Sequence, residues 1–301
     1  MCAIVARTKF KPSASLPQYD SLNNNDGKTM NRQRRAFLSR FTLLAMSGAL
    51  PGGFVPARHS HAATAAVTGD VKALIFDVFG TLVDWRTGVA RESRTLLEPL
   101  GHKLDWIVFA DAWRAEYQPG MEEVRSGRIP FSRLDIIHRR MLDRIRPRFG
   151  LENVDEAVLR ELNMAWHKLD AWPDVTAGLK RLRSRYLLAP CSNGNISLMV
   201  DLARRNDFPW DAILGAEIAG DYKPKLRVYQ AAAEALGIEH HECMMVAAHS
   251  GDLKAATQAG LRTAHVSQPD EFGPGTGELG PKVPVDVSAR NFTELADKLL
   301  A

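Results

Sequence analysis

Cysteine is scarce, with three in 301 residues, and no CxxC pair or zinc-like Cys/His spacing occurs. That excludes a disulfide-stapled scaffold and argues against a structural zinc site. Cys2 lies far toward the N-terminus, whereas Cys191 and Cys243 sit in short apolar runs. A buried free thiol is the better reading of both, with a disulfide between them as the alternative. No apolar run reaches the roughly 20 residues of a spanning helix, so no stable membrane anchor is expected. Repeats and low-complexity tracts are absent as well, which excludes solenoids and fibrous chains. Bulk positive charge is missing from most of the chain. Residues 1–62 hold nine Lys/Arg against two Asp, a net of +7, while the other 239 residues carry 30 basic and 33 acidic side chains. A body with a net charge of −3 is not a nucleic-acid surface built on charge.

What is present first is a leader. From Met30 the chain reads MNRQRRAFLSRFTLLAMSGALPGGFVPARHSHAATAA. A basic start precedes an apolar stretch from Phe41 to Phe54, and small residues suited to cleavage follow near Ala62 or Ala65. Arg34-Arg35 with Ala36-Phe37-Leu38 resembles the twin-arginine pattern, which implies export machinery as a partner and the periplasm as the destination. A disordered basic tail is the alternative. Residues 1–29 are polar and patternless, as expected of sequence ahead of an initiator at Met30.

The body opens on the apolar run Val71–Phe76, which ends in Asp77 and a Gly80-Thr81 turn. Further short apolar runs occur at Tyr186–Cys191, Ala212–Leu214, Cys243–Ala248 and Thr263–Val266, with helix-length segments such as Lys225–Leu236 and Leu253–Ala259 between them. Strands alternating with helices predict an α/β fold, a Rossmann-like parallel sheet covered on both faces, with ligands at the strands' carboxyl ends. Between Arg86 and Leu169 the pattern turns helical, with Trp106, Phe109, Ala110, Trp113 and Tyr117 three or four apart. The expected organisation is a core from 70–86 and 170–301 with a helical cap, 87–169, inserted after the first strand. The aromatic stripe reads as cap core. Residues 267–286 are rich in Gly and Pro and predict a long loop before a closing strand and helix.

Four strand ends carry chemistry. Asp77 follows the first strand and is a candidate nucleophile, with free backbone N–H groups in the turn after it. Ser192 and Asn193 end the second. Lys223, in Tyr222-Lys223-Pro224, can neutralise and orient Asp77, while Lys225 reads as solvated. The strand Met244–Ala248 leads through His249-Ser250-Gly251 to Asp252 at a helix start. His240-His241-Glu242 reads as a loop rather than a metal site, and Asp84-Trp85 as the linker into the cap.

This ordered set resembles the haloacid dehalogenase superfamily over residues 71 to about 300, and most of all its type II 2-haloacid dehalogenases. The resemblance implies Asp77 as nucleophile, Thr81 as the threonine that binds its neighbours, Ser192 and Asn193 as second motif, Lys223 as third and Asp252 as fourth. It puts Arg114, in Ala112-Trp113-Arg114, on the cap arginine that meets halide and substrate, and Tyr229 on a residue lining the active site. Superfamily phosphatases carry an aspartate two residues after the nucleophile and an acidic residue four before the fourth-motif aspartate. Here those positions are Phe79 and Ala248, which points to the dehalogenase branch and to no metal or other cofactor.

The implied reaction is two-step hydrolysis of an (S)-2-haloalkanoate through an aspartyl ester, giving halide and a 2-hydroxy acid. In it Ser192 and backbone amides would take the substrate carboxylate, and Asp252 would position or activate water. His249 stands where the family carries Asn, either as a base or as a hydrogen-bonding wall residue. A homodimer stays open. The alternatives are a phosphatase or other hydrolase of the same fold, and an exported non-catalytic binding protein.

Overall fold

The computed structural model describes residues 69–301; the leader and Cys2 lie outside them. Six parallel strands form one sheet: β1 (Ala73–Phe76), β2 (Leu187–Ser192), β3 (Leu214–Gly215), β4 (Cys243–Ala247), β5 (Arg262–Val266) and β6 (Val287–Ala289). Their spatial order is β3-β2-β1-β4-β5-β6. The β1 segment ALIF is fully buried and apolar on both faces, as a strand covered by helices on both sides must be. It sits between β2 and β4, with Ile75 opposite Ala189 on one side and Met245 on the other. The chain therefore leaves β1 in opposite directions across the sheet, and the crevice at the carboxyl ends of such strands is where ligands bind.

Six helices separate β1 from β2, and the first five form the inserted segment: α1 (Trp85–Leu97), α2 (Trp106–Ala115), α3 (Tyr117–Arg125), α4 (Leu134–Ile145) and α5 (Glu156–Asn163). Asp84 accepts from Thr87 N and caps α1, and Asp105 caps α2 in the same way. The aromatic stripe is core, as its spacing predicted, since Phe109 and Trp113 are fully buried and pack edge-on. It does not run along one helix. The chain breaks at Glu116, so Tyr117 starts α3, although its ring and that of Trp113 both pack against His138.

The rest of the fold is α6 (Val175–Leu182), α7 (Ile196–Asn206), α8 (Ala216–Ala219), α9 (Leu226–Ala235), α10 (Ser250–Gln258) and α11 (Phe292–Leu300). Cys191 and Cys243 are buried and free, and burial pushes the Cys191 thiol up to about 12. Residues 267–286 contain no helix or strand. This loop is nonetheless tied to the turn after β1, because Gln268 Nε2 donates to the Thr81 carbonyl at 2.9 Å. Among the described residues no helix is long and apolar enough to cross a membrane.

Candidate active site

Asp77 leaves the end of β1 with its N–H donating to the Val246 carbonyl at 3.0 Å. Its Oδ1 accepts from Lys223 Nζ at 3.0 Å. Its Oδ2 accepts from Thr81 Oγ1 at 2.7 Å and meets His249 Nδ1 at 3.0 Å. Thr81 is in turn held by the Ala248 N–H at 3.0 Å, so one hydroxyl links β1's turn to the end of β4. Burial alone would raise the Asp77 carboxyl; the Lys223 ammonium and the bonds from His249 and Thr81 outweigh it and hold the group well below the usual carboxylate range. Asp77 is an anion at any working pH.

Lys223 is 6% exposed and also reaches Asp252 Oδ2 at 2.6 Å. Two carboxylates around one ammonium outweigh its desolvation and raise its pKa. Asp252, in the first turn of α10, accepts from the Tyr229 hydroxyl on its other oxygen. Burial, the largest influence, raises the Asp252 carboxyl. Lys223 holds one Asp252 oxygen and Tyr229 the other, so Asp252 anchors the lysine.

His249 bridges two carboxylates. Its Nδ1 faces Asp77 and its Nε2 lies 2.7 Å from Glu271 Oε2. Burial lowers an imidazole's pKa, but hydrogen bonds and charge from the two carboxylates push His249 up to about 10. Glu271 is a charged group of the site that the sequence did not reveal. It sits in the Gly/Pro-rich loop, 2% exposed, and accepts from Trp85 Nε1 at 3.2 Å. A Cβ on Gly80 would stand 2.1 Å from Glu271 Oε1, so the loop can lay its carboxylate on the site only because position 80 is glycine. Trp85 is correspondingly more than a linker.

A cavity of about 580 Å³ opens over these groups, lined among others by Asp77, Phe79, Arg114, Tyr117, Asn193 and His249. Arg114 lies over the Tyr117 ring at 3.9 Å and near the Trp85 ring at 5.2 Å. Its Nη1 is buried without a hydrogen-bond partner. A guanidinium backed by aromatic faces and lacking a carboxylate is set to receive an anion. Phe79 packs edge-on against Tyr117 and Trp166, giving the cavity an apolar wall. Asn193 Oδ1 accepts from Lys223 N at 2.9 Å, and its side chain faces the Tyr117 hydroxyl at the cavity wall. Ser192 departs from expectation. It does not line the cavity; fully buried, it accepts from the Gly194 N–H at 3.0 Å and shapes the turn that presents Asn193.

A buried carboxylate clamped by lysine at the switch point of a parallel sheet, beneath an inserted helical segment, defines a class of hydrolase. The chain belongs to the haloacid dehalogenase-like hydrolases, whose family model matches residues 71–260. Its relatives include L-2-haloacid dehalogenases. A solved defluorinating L-2-haloacid dehalogenase is 44% identical, with 77% of this chain and 96% of that one aligned and a TM-score of 0.75. A second solved L-2-haloacid dehalogenase is 42% identical over 76% of this chain and 99% of its own, with a TM-score of 0.73. (S)-2-haloacid dehalogenase H-109 of Pseudomonas putida is 31% identical over 149 residues, 48% of this chain; the match spans 64% of that relative.

Proposed function

We propose that the protein hydrolyses (S)-2-haloalkanoic acids to 2-hydroxy acids and halide through an ester on Asp77. The observation that carries this is the pairing of an ionised, buried Asp77 with an unpartnered Arg114 across one cavity, one group to attack and the other to receive an anion. Asp77 Oδ2 already accepts from two groups, whereas Oδ1 accepts only from Lys223. Oδ1 keeps a lone pair free and is the attacking atom. It displaces halide from C2 in line, and no proton is needed because halide leaves as an anion. Arg114 and the Asn193 amide supply charge and donors in a cavity walled by Phe79.

Esterification removes the Asp77 charge, and with it half of what keeps His249 protonated. The imidazole pKa then falls toward the range in which it can accept a proton, while Glu271 still orients the ring. The ring gives up its proton to solvent and then takes one from water, whose oxygen attacks the ester carboxyl carbon; the bond to the substrate oxygen breaks, the new carboxylic acid passes its proton to that alkoxide, and the hydroxy acid leaves with Asp77 and protonated His249 restored. The same chemical step that forms the intermediate thus readies the base that destroys it.

Phe79 stands where a phosphatase needs an acid for its leaving group, and no observation favours that reading. Halide and hydroxy-acid release from (S)-2-chloropropionate, measured in EDTA beside an Asp77→Asn variant, tests the proposal. Release that survives EDTA and vanishes in the variant supports it, and an inert wild type refutes it. The basic leader ahead of the catalytic body supports action in the periplasm, which cell fractionation and N-terminal sequencing of the exported chain check.

A further inference from the structure

Arg125, the last residue of α3, belongs to none of the strand-end motifs. Its side chain is 9% exposed and its guanidinium is fully used. Nε donates to Glu122 Oε2 at 2.8 Å. Nη2 donates to Gln118, at 3.1 Å to the side-chain oxygen and 3.3 Å to the carbonyl. Both partners lie on or beside its own helix and would serve an ordinary helix surface. Nη1 does something else: it donates to the main-chain carbonyl of Lys223 at 2.7 Å, 98 residues along the chain.

Lys223 is therefore gripped from both sides, its N–H by Asn193 and its C=O by Arg125. The neighbouring contact works the same way, since the Tyr222 hydroxyl donates to the Ser132 carbonyl at 2.5 Å and Phe131 packs on the Tyr222 ring. The Lys223 ammonium has to stand between two carboxylates, at 3.0 and 2.6 Å. A lysine stem is flexible and cannot hold that place unaided, so its main chain must be fixed. At its other end Arg125 holds Gln118, which lines the cavity.

We infer that Arg125 is a positioning residue for the reaction: its guanidinium ties the cavity wall at Gln118 to the main chain of Lys223, so the seating of the helical insertion sets where the ammonium stands against Asp77. The inference rests on the dehalogenase reading above. Arg125 touches neither substrate nor reacting atoms, and acts only through Lys223.

Arg125→Ala and Arg125→Lys are compared with wild type by kinetics and by NMR of 15N-lysine-labelled protein, in which Lys223→Met assigns the Lys223 ammonium resonance. Misplacement by about 1 Å costs on the order of 100-fold in rate, so kcat of Arg125→Ala is expected to fall by about that factor while KM stays near wild type. Guanidinium added to the buffer restores part of the rate, and Arg125→Lys falls between the two. The Lys223 resonance moves in Arg125→Ala and returns with guanidinium. An unmoved resonance, or a loss of rate that guanidinium does not rescue in a variant of lowered Tm, overturns the inference and leaves Arg125 a structural staple. If wild type releases no halide, the dehalogenase reading fails on its own account, and the resonance still decides the positioning role.

Discussion

Replacing Glu271 by Gln keeps the shape of the side chain and an oxygen for the Trp85 N–H, but removes the charge that faces His249 Nε2. The imidazole's rise from 6.5 to about 10 corresponds to about 5 kcal/mol of preference for the charged ring. Two carboxylates share it, so losing one lowers the resting His249 pKa by roughly 1–2 units. The larger effect falls on the ester. Once Asp77 is esterified, Glu271 is the only carboxylate left bonded to His249; without its charge the ring is a weaker base with an unfixed tautomer. General-base catalysis is worth about 10²–10⁴-fold, and the loss should fall within that span and confine itself to ester hydrolysis. Rapid-quench assays should then show one equivalent of halide released per enzyme, followed by slow turnover. Peptide mass mapping should show the substrate's 1-carboxyalkyl fragment held on the peptide that contains Asp77. The His249 titration, followed by NMR, should shift downward in the same variant. Steady turnover at the wild-type rate with no burst, together with an unshifted His249, would refute the reasoning and return water activation to Asp252.

Lys223→Met should leave Asp77 and Asp252 as two buried carboxylates with no cation between them; breaking such a pairing costs about 3–5 kcal/mol, read from denaturant midpoints, and an unchanged midpoint would show that the ammonium is not what reconciles them. Gly80→Ala meets both a φ of +84° and the Glu271 oxygen at 2.1 Å, so the Glu271 side chain has to swing away from its place at His249; the variant should lose turnover while still forming the ester, and wild-type ester hydrolysis would contradict this. Stability should also depend on pH with a definite sign. The folded pKa of His249 lies above its unfolded value, so its contribution is full below about 6.5 and is lost as pH rises toward about 10. Asp77 is shifted the other way, and its contribution is full above about 3.8 and is lost on acidification. Denaturant midpoints should therefore peak near pH 4–6.5 and fall on the alkaline side, and His249→Gln should flatten that alkaline fall.

Much of the site was legible because it lies at strand ends. A buried parallel strand must be an apolar run, and the polar residue that ends it, as Asp77 ends β1, is placed by topology at the binding crevice. Thr81, Asn193, Lys223, Tyr229, His249 and Asp252 all follow from that rule or from the family pattern it brings to mind, and all converge in the structure. Arg114 was legible through the family resemblance, which its place beside Trp113 on an apolar helix supported. Ser192 shows the limit of the rule, since its position at a strand end was right while its hydroxyl turns inward to Gly194.

Glu271 and Arg125 were not legible, for a shared physical reason. Glu271 stands in a Gly/Pro-rich loop with no periodicity, 22 residues past His249 along the chain, and Arg125 looks like any charge ending an amphipathic helix. Composition and local pattern are properties of near neighbours, and they carried the alternating strands and helices, the inserted helical segment and the carboxylate nucleophile. The protonation state of His249 and the placement of Lys223 depend on charges and hydrogen bonds between segments far apart in the chain. Those interactions act through distances of about 3 Å, which only the tertiary structure sets.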